Sequence, residues 1–349
     1  LLSVERQQKV KESLYLYLLQ KREENELSQA FTAYNTRIIT KPGGSMIPTA
    51  PIKKNILLVA FALGLLIPVV VIFIRENMNT RVRGRKDLDD LSVPFIGEIP
   101  LAICGKKKVK SYETHTIVVK EGSRDIMNEA FRVLRTNLEF MIGKDRSSNV
   151  IVITSFNLGS GKSFLTMNIA MSLAIKNKKV LVIDGDLRHA SASAYIHSPE
   201  VGLSNYLGGQ VDELSDIIVT DKQHPSFSFI PVGTIPPNPT ELLFNDRLQD
   251  AIHTLKQQYD VVLIDCPPVE LVADTQIIEK WADRTVFVVR AGLLERSMLP
   301  ELENIYREKK YKNMSVILNG TEGAGGRYGY RYGYRYGYGS GSYYGSSSK

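Results

Sequence analysis

The chain has little cysteine. Its 349 residues hold two, Cys104 and Cys266, with no CxxC spacing and no histidine nearby, which argues against a thiolate metal site. Cys266 follows an apolar run, where a free thiol serves as a small buried hydrophobe, and it implies a reducing compartment for that part. No known nucleic-acid motif accompanies the basic residues, although the net charge is +7. The charge is instead localised: Arg75, Arg81, Arg83, Arg85 and Lys86 follow an apolar segment, and three arginines lie in the last 25 residues. A methionine is missing from the start, which reads Leu-Leu; the chain is expected to be a piece of a longer protein.

One stretch lacks charge altogether. Ile56 to Ile74 is 19 residues without Asp, Glu, Lys or Arg. As a helix it reaches roughly 28 Å, near the roughly 30 Å of a bilayer's hydrocarbon core. Pro68 inside the run is better tolerated in a membrane helix than in a soluble one. Lys53 and Lys54 precede the run and five basic residues follow it, so the positive-inside rule places the C-terminal side in the cytoplasm. Residues 1–33 are rich in Glu, Lys, Gln and Leu, with Val10, Leu14 and Leu18 four apart. They read as a helical stalk, either coiled coil or single solvated helix. Residues 41–51, with three prolines and two glycines, read as an extended connector. Residues 75–124 lack helical periodicity and read as a juxtamembrane linker with short strands at most, such as THTIVVK.

From residue 149 the pattern changes. Apolar runs at 150–154, 180–183, 227–232, 261–264, 285–289 and 315–318 alternate with helical stretches near 163–177, 240–258, 273–282 and 296–309. Such alternation predicts a mainly parallel sheet with helices on both faces. The first run leads into SFNLGSGKS and a helix. Gly159, Ser160, Gly161, Lys162 and Ser163 have the chemistry of a phosphate-binding loop, in which glycines admit the phosphates and consecutive N–H groups point inward at a helix start. Lys162 would reach the β- and γ-phosphates of ATP, and the Ser163 hydroxyl would ligate Mg²⁺. The strict pattern requires glycine at 156, where this chain has Phe156, so the loop is a deviant form. VLVIDGDLR ends a second strand with Asp184, Asp186 and Arg188, and VVLIDCPP ends a third with Asp265. Ligands of parallel sheets bind at the carboxyl ends of strands, so these acids face the same phosphates.

NLGSGKS, VLVIDGDLR and VVLIDCPP together resemble the bacterial tyrosine kinases, which share the fold of the deviant-Walker P-loop NTPases. The resemblance runs from about residue 125 to the end and includes GLSNYLGG and PPNPTELL. The loop lacks the early lysine of the KGGxGKT pattern usual in partition and division-site ATPases of this fold, having Asn157 and Leu158 there; that favours the kinase branch. HRD and DFG, the marks of eukaryotic kinases, are also missing. The N-terminal portion resembles, less specifically, the chain-length regulators of polysaccharide export. The resemblance implies that the loop and Phe164 hold ATP, that Ser163 and Asp265 hold Mg²⁺ with help from Asp184, and that Asp184 or Asp186 activates the acceptor hydroxyl. Arg188 would orient phosphates or pair with an aspartate. Asn319 matches a residue that reads adenine in related ATPases, or is a strand-end turn residue. EAFRVLRTNLEF is similar to the family's oligomerisation segment, with Glu129, Arg132 and Arg135 in the E-x-x-R-x-x-R positions; the same residues would also give ion pairs along one helix. Implied partners are further copies in a ring such as an octamer, a cognate protein-tyrosine phosphatase, a polysaccharide polymerase, outer-membrane export proteins and the inner membrane, with no nucleic acid.

After Gly320 the composition collapses to Gly, Tyr, Arg and Ser. Tyr328, Tyr330, Tyr332, Tyr334, Tyr336, Tyr338, Tyr343 and Tyr344 are eight of the chain's 17 tyrosines. Such a segment offers little to build a core. Alone it would suit RNA; joined to a nucleotide site and a span it reads as phosphoacceptor. The expected organisation is a periplasmic stalk and connector (1–52), a transmembrane helix (53–75), a linker (76–124), a P-loop tyrosine kinase domain (125–320) and an autophosphorylation tail (321–349). Two other readings compete. A membrane-bound partition-type ATPase would hydrolyse ATP without making phosphotyrosine, and a chain-length scaffold would do neither.

Overall fold

A computed structural model describes residues 2–31, 43–44, 52–101, 115–143, 149–269 and 273–322. The tail tyrosines and Cys104 lie outside the described residues. The chain divides into two units, Leu1–Glu76 and Asn77–Lys349.

The first unit contains two helices, α1 (Leu2–Phe31) and α2 (Lys53–Asn77). Helix α1 is exposed where its side chains are described, including Val10, Leu14 and Leu18. In α2, Lys53–Arg75 has a mean hydropathy of 3.1 and none of it is buried. By length and composition it is a helix able to cross a membrane, with Pro68 inside it.

The second unit is an α/β layer structure. In chain order its elements are β1 (Phe95–Pro100), α3 (Ile126–Ile142), β2 (Val150–Ser155), α4 (Lys162–Ala174), β3 (Val180–Asp184), α5 (Leu203–Leu207), β4 (Val219–Thr220), β5 (Phe227–Ile230), α6 (Pro239–Leu243), α7 (Asp246–Gln258), β6 (Val261–Asp265), α8 (Asp274–Glu279), β7 (Arg284–Arg290), α9 (Leu299–Arg307) and β8 (Ser315–Thr321). Among the described residues the strands form one sheet in the order β1-β8-β7-β2-β6-β3-β5-β4. Every pairing is parallel except β4 with β5. Strands β2, β3 and β6 are buried at every position, as parallel strands covered on both faces must be. Successive side chains serve opposite layers: Ile151 and Ile153 pack with Phe131, Leu134 and Leu165, whereas Val150 and Val152 pack with Leu248, Ile252 and Ile277.

Residues 76–124 are more than a linker. Val82 N donates to Leu294 O at 2.8 Å, Gly292 N donates to Val82 O at 2.8 Å, and Val82, Leu88 and Val93 are buried. Strand β1 then runs parallel to β8 at the sheet edge, with Glu98 opposite Leu318. The expected strand at THTIVVK does not form. Val118 N and Val119 N are instead taken by the buried Asn168 side chain of α4, at 2.8 and 3.1 Å, and Lys120 N by Asn128 of α3 at 2.8 Å.

Helix α3 begins at Asp125, whose carboxylate accepts Asn128 N at 2.9 Å, and ends at Gly143 with φ 73°. Glu129 and Arg132 are exposed and paired within the helix, and Arg132 also donates to Ser123 O at 3.1 Å. Arg135 departs from the surface role expected of it. It is buried on the face of Phe131, Leu134 and Leu138, and donates to Ser172 O at 2.8 Å. Its spacing explains this: positions 131, 134, 135 and 138 form one helical stripe.

Candidate nucleotide-binding and phosphoryl-transfer site

The phosphate loop joins β2 to α4 across the end of the sheet. Gly159 and Gly161 have φ of 71° and 85°, the left-handed region that side chains other than glycine's avoid. The Ser155 and Ser160 hydroxyls both donate to Asn157 O at 2.8 Å. Two side chains from the β7–β8 side hold the loop down: Arg290 donates to Gly159 O at 2.6 Å and Asn319 to Ser160 O at 2.8 Å. Asn319 is thus a buried loop anchor here. Phe156, where the strict motif has glycine, is buried edge-on against Phe287.

A β-carbon at Gly161 would lie 2.3 Å from Asn319 Nδ2. The Gly161→Ala variant therefore meets both the left-handed cost and this clash. We expect a loss of ~2–3 kcal/mol in stability together with weakened ATP binding, read by thermal melting and nucleotide titration; an unchanged melting temperature would contradict the packing.

Parallel register brings the acids together. Asp265 ends β6, opposite Ile153 of β2 on one side and Asp184 of β3 on the other. Ser163 donates to Asp265 Oδ2 at 2.5 Å, and Thr166 lies 3.5 Å from Oδ1. Asp184 Oδ2 accepts both the amide and the hydroxyl of Ser193 at 2.7 Å. Asp186 Oδ1 accepts the amides of Arg188 and His189 at 3.2 Å. Arg188 itself turns away from the loop to Asp274, at 2.9 Å, and Thr240, at 2.8 Å. Of the two roles open to it from sequence, this structure shows the pairing with an aspartate.

Burial dominates the electrostatics. It pushes the Asp184 carboxyl up to about 8, reinforced by the neighbouring charge of Asp265. Burial also raises Asp265, to about 6, against the opposing pull of the Lys162 ammonium and the Ser163 hydroxyl. Desolvation lowers Lys162, while Asp265 and Asp186 oppose that shift.

These residues fit Mg²⁺. Ser163 and Asp265 offer two hard oxygen donors side by side, next to the buried carboxylates of Asp184 and Asp186. Among the described residues no group of three His, Cys, Asp or Glu could hold a metal alone. Mg²⁺ needs none, since it takes one or two carboxylates and completes its shell with water and phosphate oxygens.

A cleft of about 140 Å³ opens beside the loop. Gly159, Gly161, Lys162, Ser163, Phe164 and Asp186, all named as candidates from the sequence, line it. His115, Ser191 and Tyr195 line it too. The motifs did not reveal these three, because they lie outside the strand-end segments and are joined to the site only by folding.

Three comparisons bear on this arrangement. Residues 148–310 match the model of an AAA domain, and residues 1–77 match GNVR, a G-rich domain of tyrosine kinases. The solved BceF tyrosine kinase domain is 32% identical, with a TM-score of 0.59, over 69% of this chain and 99% of that one. This chain belongs to the bacterial tyrosine kinase family. The kinase domain of the Escherichia coli tyrosine kinase ETK superposes with a TM-score of 0.61 at 29% identity, over 74% of this chain and all of that one. The tyrosine-protein kinase Wzc of Salmonella typhi is 30% identical over 324 residues, 88% of this chain and 44% of Wzc. The chain thus spans less than half the length of the curated relatives it matches.

Proposed function

We propose that this bacterial tyrosine kinase family member is an ATP-dependent autokinase that phosphorylates its own tyrosine tail in trans. The observation that carries the reading is the convergence of Lys162, the Ser163–Asp265 pair and Asp186 around one glycine loop, in a chain with eight tyrosines from Tyr328 to Tyr344. The loop amides and Lys162 bind the phosphates of ATP. Ser163 and Asp265 would hold Mg²⁺, which when bound neutralises charge on the β- and γ-oxygens. The phenol oxygen of an acceptor tyrosine attacks the γ-phosphorus, the bond to the β-phosphate oxygen breaks, and Asp186 takes the phenol proton. Asp186 suits that task better than Asp184, since it lines the cleft while Asp184 is occupied by Ser193. Asp184 holds Ser193 and the turn that carries Asp186.

In this reading α2 spans the inner membrane, the catalytic unit and tail are cytoplasmic, and the residues before α2 are periplasmic. The activity would regulate polysaccharide polymerisation and export, with a phosphatase resetting the tail. Subunits would form a ring. Two or three phosphates, at roughly −1.5 to −2 charges each, would reverse the sign of the basic tail and loosen that ring.

The test is incubation of the full chain with Mg-ATP, with and without EDTA, followed by phosphotyrosine mapping by mass spectrometry. Mg²⁺-dependent phosphotyrosine at Tyr328–Tyr344 supports the autokinase. ATP turnover without phosphotyrosine would favour a partition-type ATPase, and neither activity a scaffold.

The ring has its own test. Because Arg135 is buried, the outward contact falls to Glu129 and Arg132. The double variant Glu129→Ala, Arg132→Ala is expected to be monomeric in sedimentation, with its melting temperature preserved as befits exposed positions. An unchanged oligomer would remove α3 from the contact.

A further inference from the structure

The kinase reading leaves His115 and Tyr195 without a task. Neither belongs to a nucleotide motif, yet both line the cleft that holds Lys162, Ser163 and Asp186. Their rings stand edge to face, with centroids 5.4 Å apart and planes at 84°. His115 is exposed and keeps a left-handed backbone, with φ 42°. Tyr195 is half-buried and packs on the layer formed by α3 and α4. Leu158, itself half-exposed, adds an apolar surface.

We propose that His115 and Tyr195 form an aromatic docking subsite that receives the phenol ring of the acceptor tyrosine and aims its oxygen at the transferring phosphate. This rests on the kinase reading and adds to it the residues that select a tyrosine.

The lining supports it first. One cleft brings the two rings and Leu158 together with the Lys162 ammonium, the Ser163 hydroxyl and the Asp186 carboxylate. A phenol is the acceptor with that division, a ring at one end and a reacting oxygen at the other. A serine side chain is too short to fill the aromatic side. Two rings at right angles give a third ring both offset and edge-on contacts within the favoured 4.5–7 Å between centroids.

Position separates the acceptor from the adenine of ATP. Asp186, two residues beyond the end of β3, lines the cleft. Arg290 and Asn319 hold the loop from the side of β7 and β8. An adenine is separated from the γ-phosphate by a ribose and two phosphates. A ring sharing one small cleft with Lys162 and Asp186 is too near the transferring group to be the base.

The test uses the full chain in detergent, Mg-ATP and a synthetic peptide of residues 327–338 as acceptor. Initial rates of peptide phosphorylation, measured by mass spectrometry, give KM for peptide and for ATP separately. Tyr195→Ala and His115→Ala are each expected to raise the peptide KM about fivefold to tenfold, with the ATP KM little changed. Tyr195→Phe should restore the peptide KM, since the ring and not its hydroxyl makes the contact. His115 is exposed, so its variant reports even where Tyr195→Ala unfolds. An unchanged peptide KM in His115→Ala, a raised peptide KM in Tyr195→Phe, or a parallel rise in the ATP KM would overturn the subsite. A wild-type chain that forms no phosphotyrosine would instead overturn the kinase reading, and the subsite with it.

Discussion

Replacing Lys162 with methionine is expected to slow phosphotyrosine formation by two to three orders of magnitude in a chain that still folds. The Lys162 side chain is buried at the head of α4 and reaches into the cleft with Asp186. Its ammonium meets the negative charge that spreads over the phosphoryl oxygens during transfer, in a site sheltered from water. Removing one such preorganised group costs about 2.7–4 kcal/mol, or roughly 10²–10³ in rate. Methionine keeps the length and apolar stem, so the core around Phe164 and Leu165 stays filled. The loss of charge also leaves Asp265 without its counter-ion. That carboxyl already sits at about 6 and responds by binding a proton rather than by unfolding the sheet. Quantitative mass spectrometry of tail phosphotyrosine, beside a melting curve, checks both halves. A fall of less than tenfold in a folded variant would mean that another cation serves the phosphoryl group.

Much of the catalytic unit was legible because its strands carry two signals at once. Val150–Ser155, Val180–Asp184 and Val261–Asp265 are apolar runs, and each ends in residues whose chemistry belongs at the carboxyl edge of a parallel sheet. Strand β1 carries neither. Phe-Ile-Gly-Glu-Ile-Pro reads as irregular because it has a glycine, a charge and a terminal proline, residues an edge strand tolerates and a central one does not. Gly97 has a packing reason as well, since a β-carbon there would lie 3.2 Å from Leu134 of α3. Arg135 was misleading for the opposite cause. Its charge suggested the surface, while its place in the stripe with Phe131, Leu134 and Leu138 puts it inside, and the spacing was the better guide.

The site shows the same division. Ser163 with Asp265 was implied by the resemblance to the bacterial tyrosine kinases, and the two meet in the structure because β2 and β6 are neighbours. Asp184 with Ser193 and Arg188 with Asp274 needed coordinates: one joins residues nine apart across a loop without periodicity, the other residues 86 apart. His115 and Tyr195 are 80 positions apart and meet because Asn168 and Asn128 fasten residues 118–120 to α3 and α4. Chemistry at strand ends is written locally; the walls around it come from long-range packing.

In the absence of metal and nucleotide, Asp184→Asn is expected to stabilise the chain at pH 8 while abolishing most of its activity. The folded-state carboxyl lies at about 8, against 3.8 for the ordinary group. Between those values the folded protein holds a proton that the unfolded chain has released. Folding stability therefore falls as pH rises from about 4 to 8, because the unfolded state binds fewer protons there. Asp265, raised to about 6, steepens the fall. Asparagine carries no charge to desolvate, and one amide oxygen can accept both 2.7 Å bonds that Ser193 now gives to Asp184 Oδ2. The variant should match wild type near pH 4 and exceed it at pH 8 by ~1 kcal/mol or more, about 2–4 °C in melting temperature for a unit of this size. The catalytic loss follows from the same substitution, since a site without that charge has less with which to attract Mg²⁺ and to hold the turn of Asp186. Melting curves in EDTA from pH 4 to 8 decide the matter. A wild-type stability that rises over that range, or a variant less stable at pH 8, would show that Asp184 is not a strained charge in the resting site.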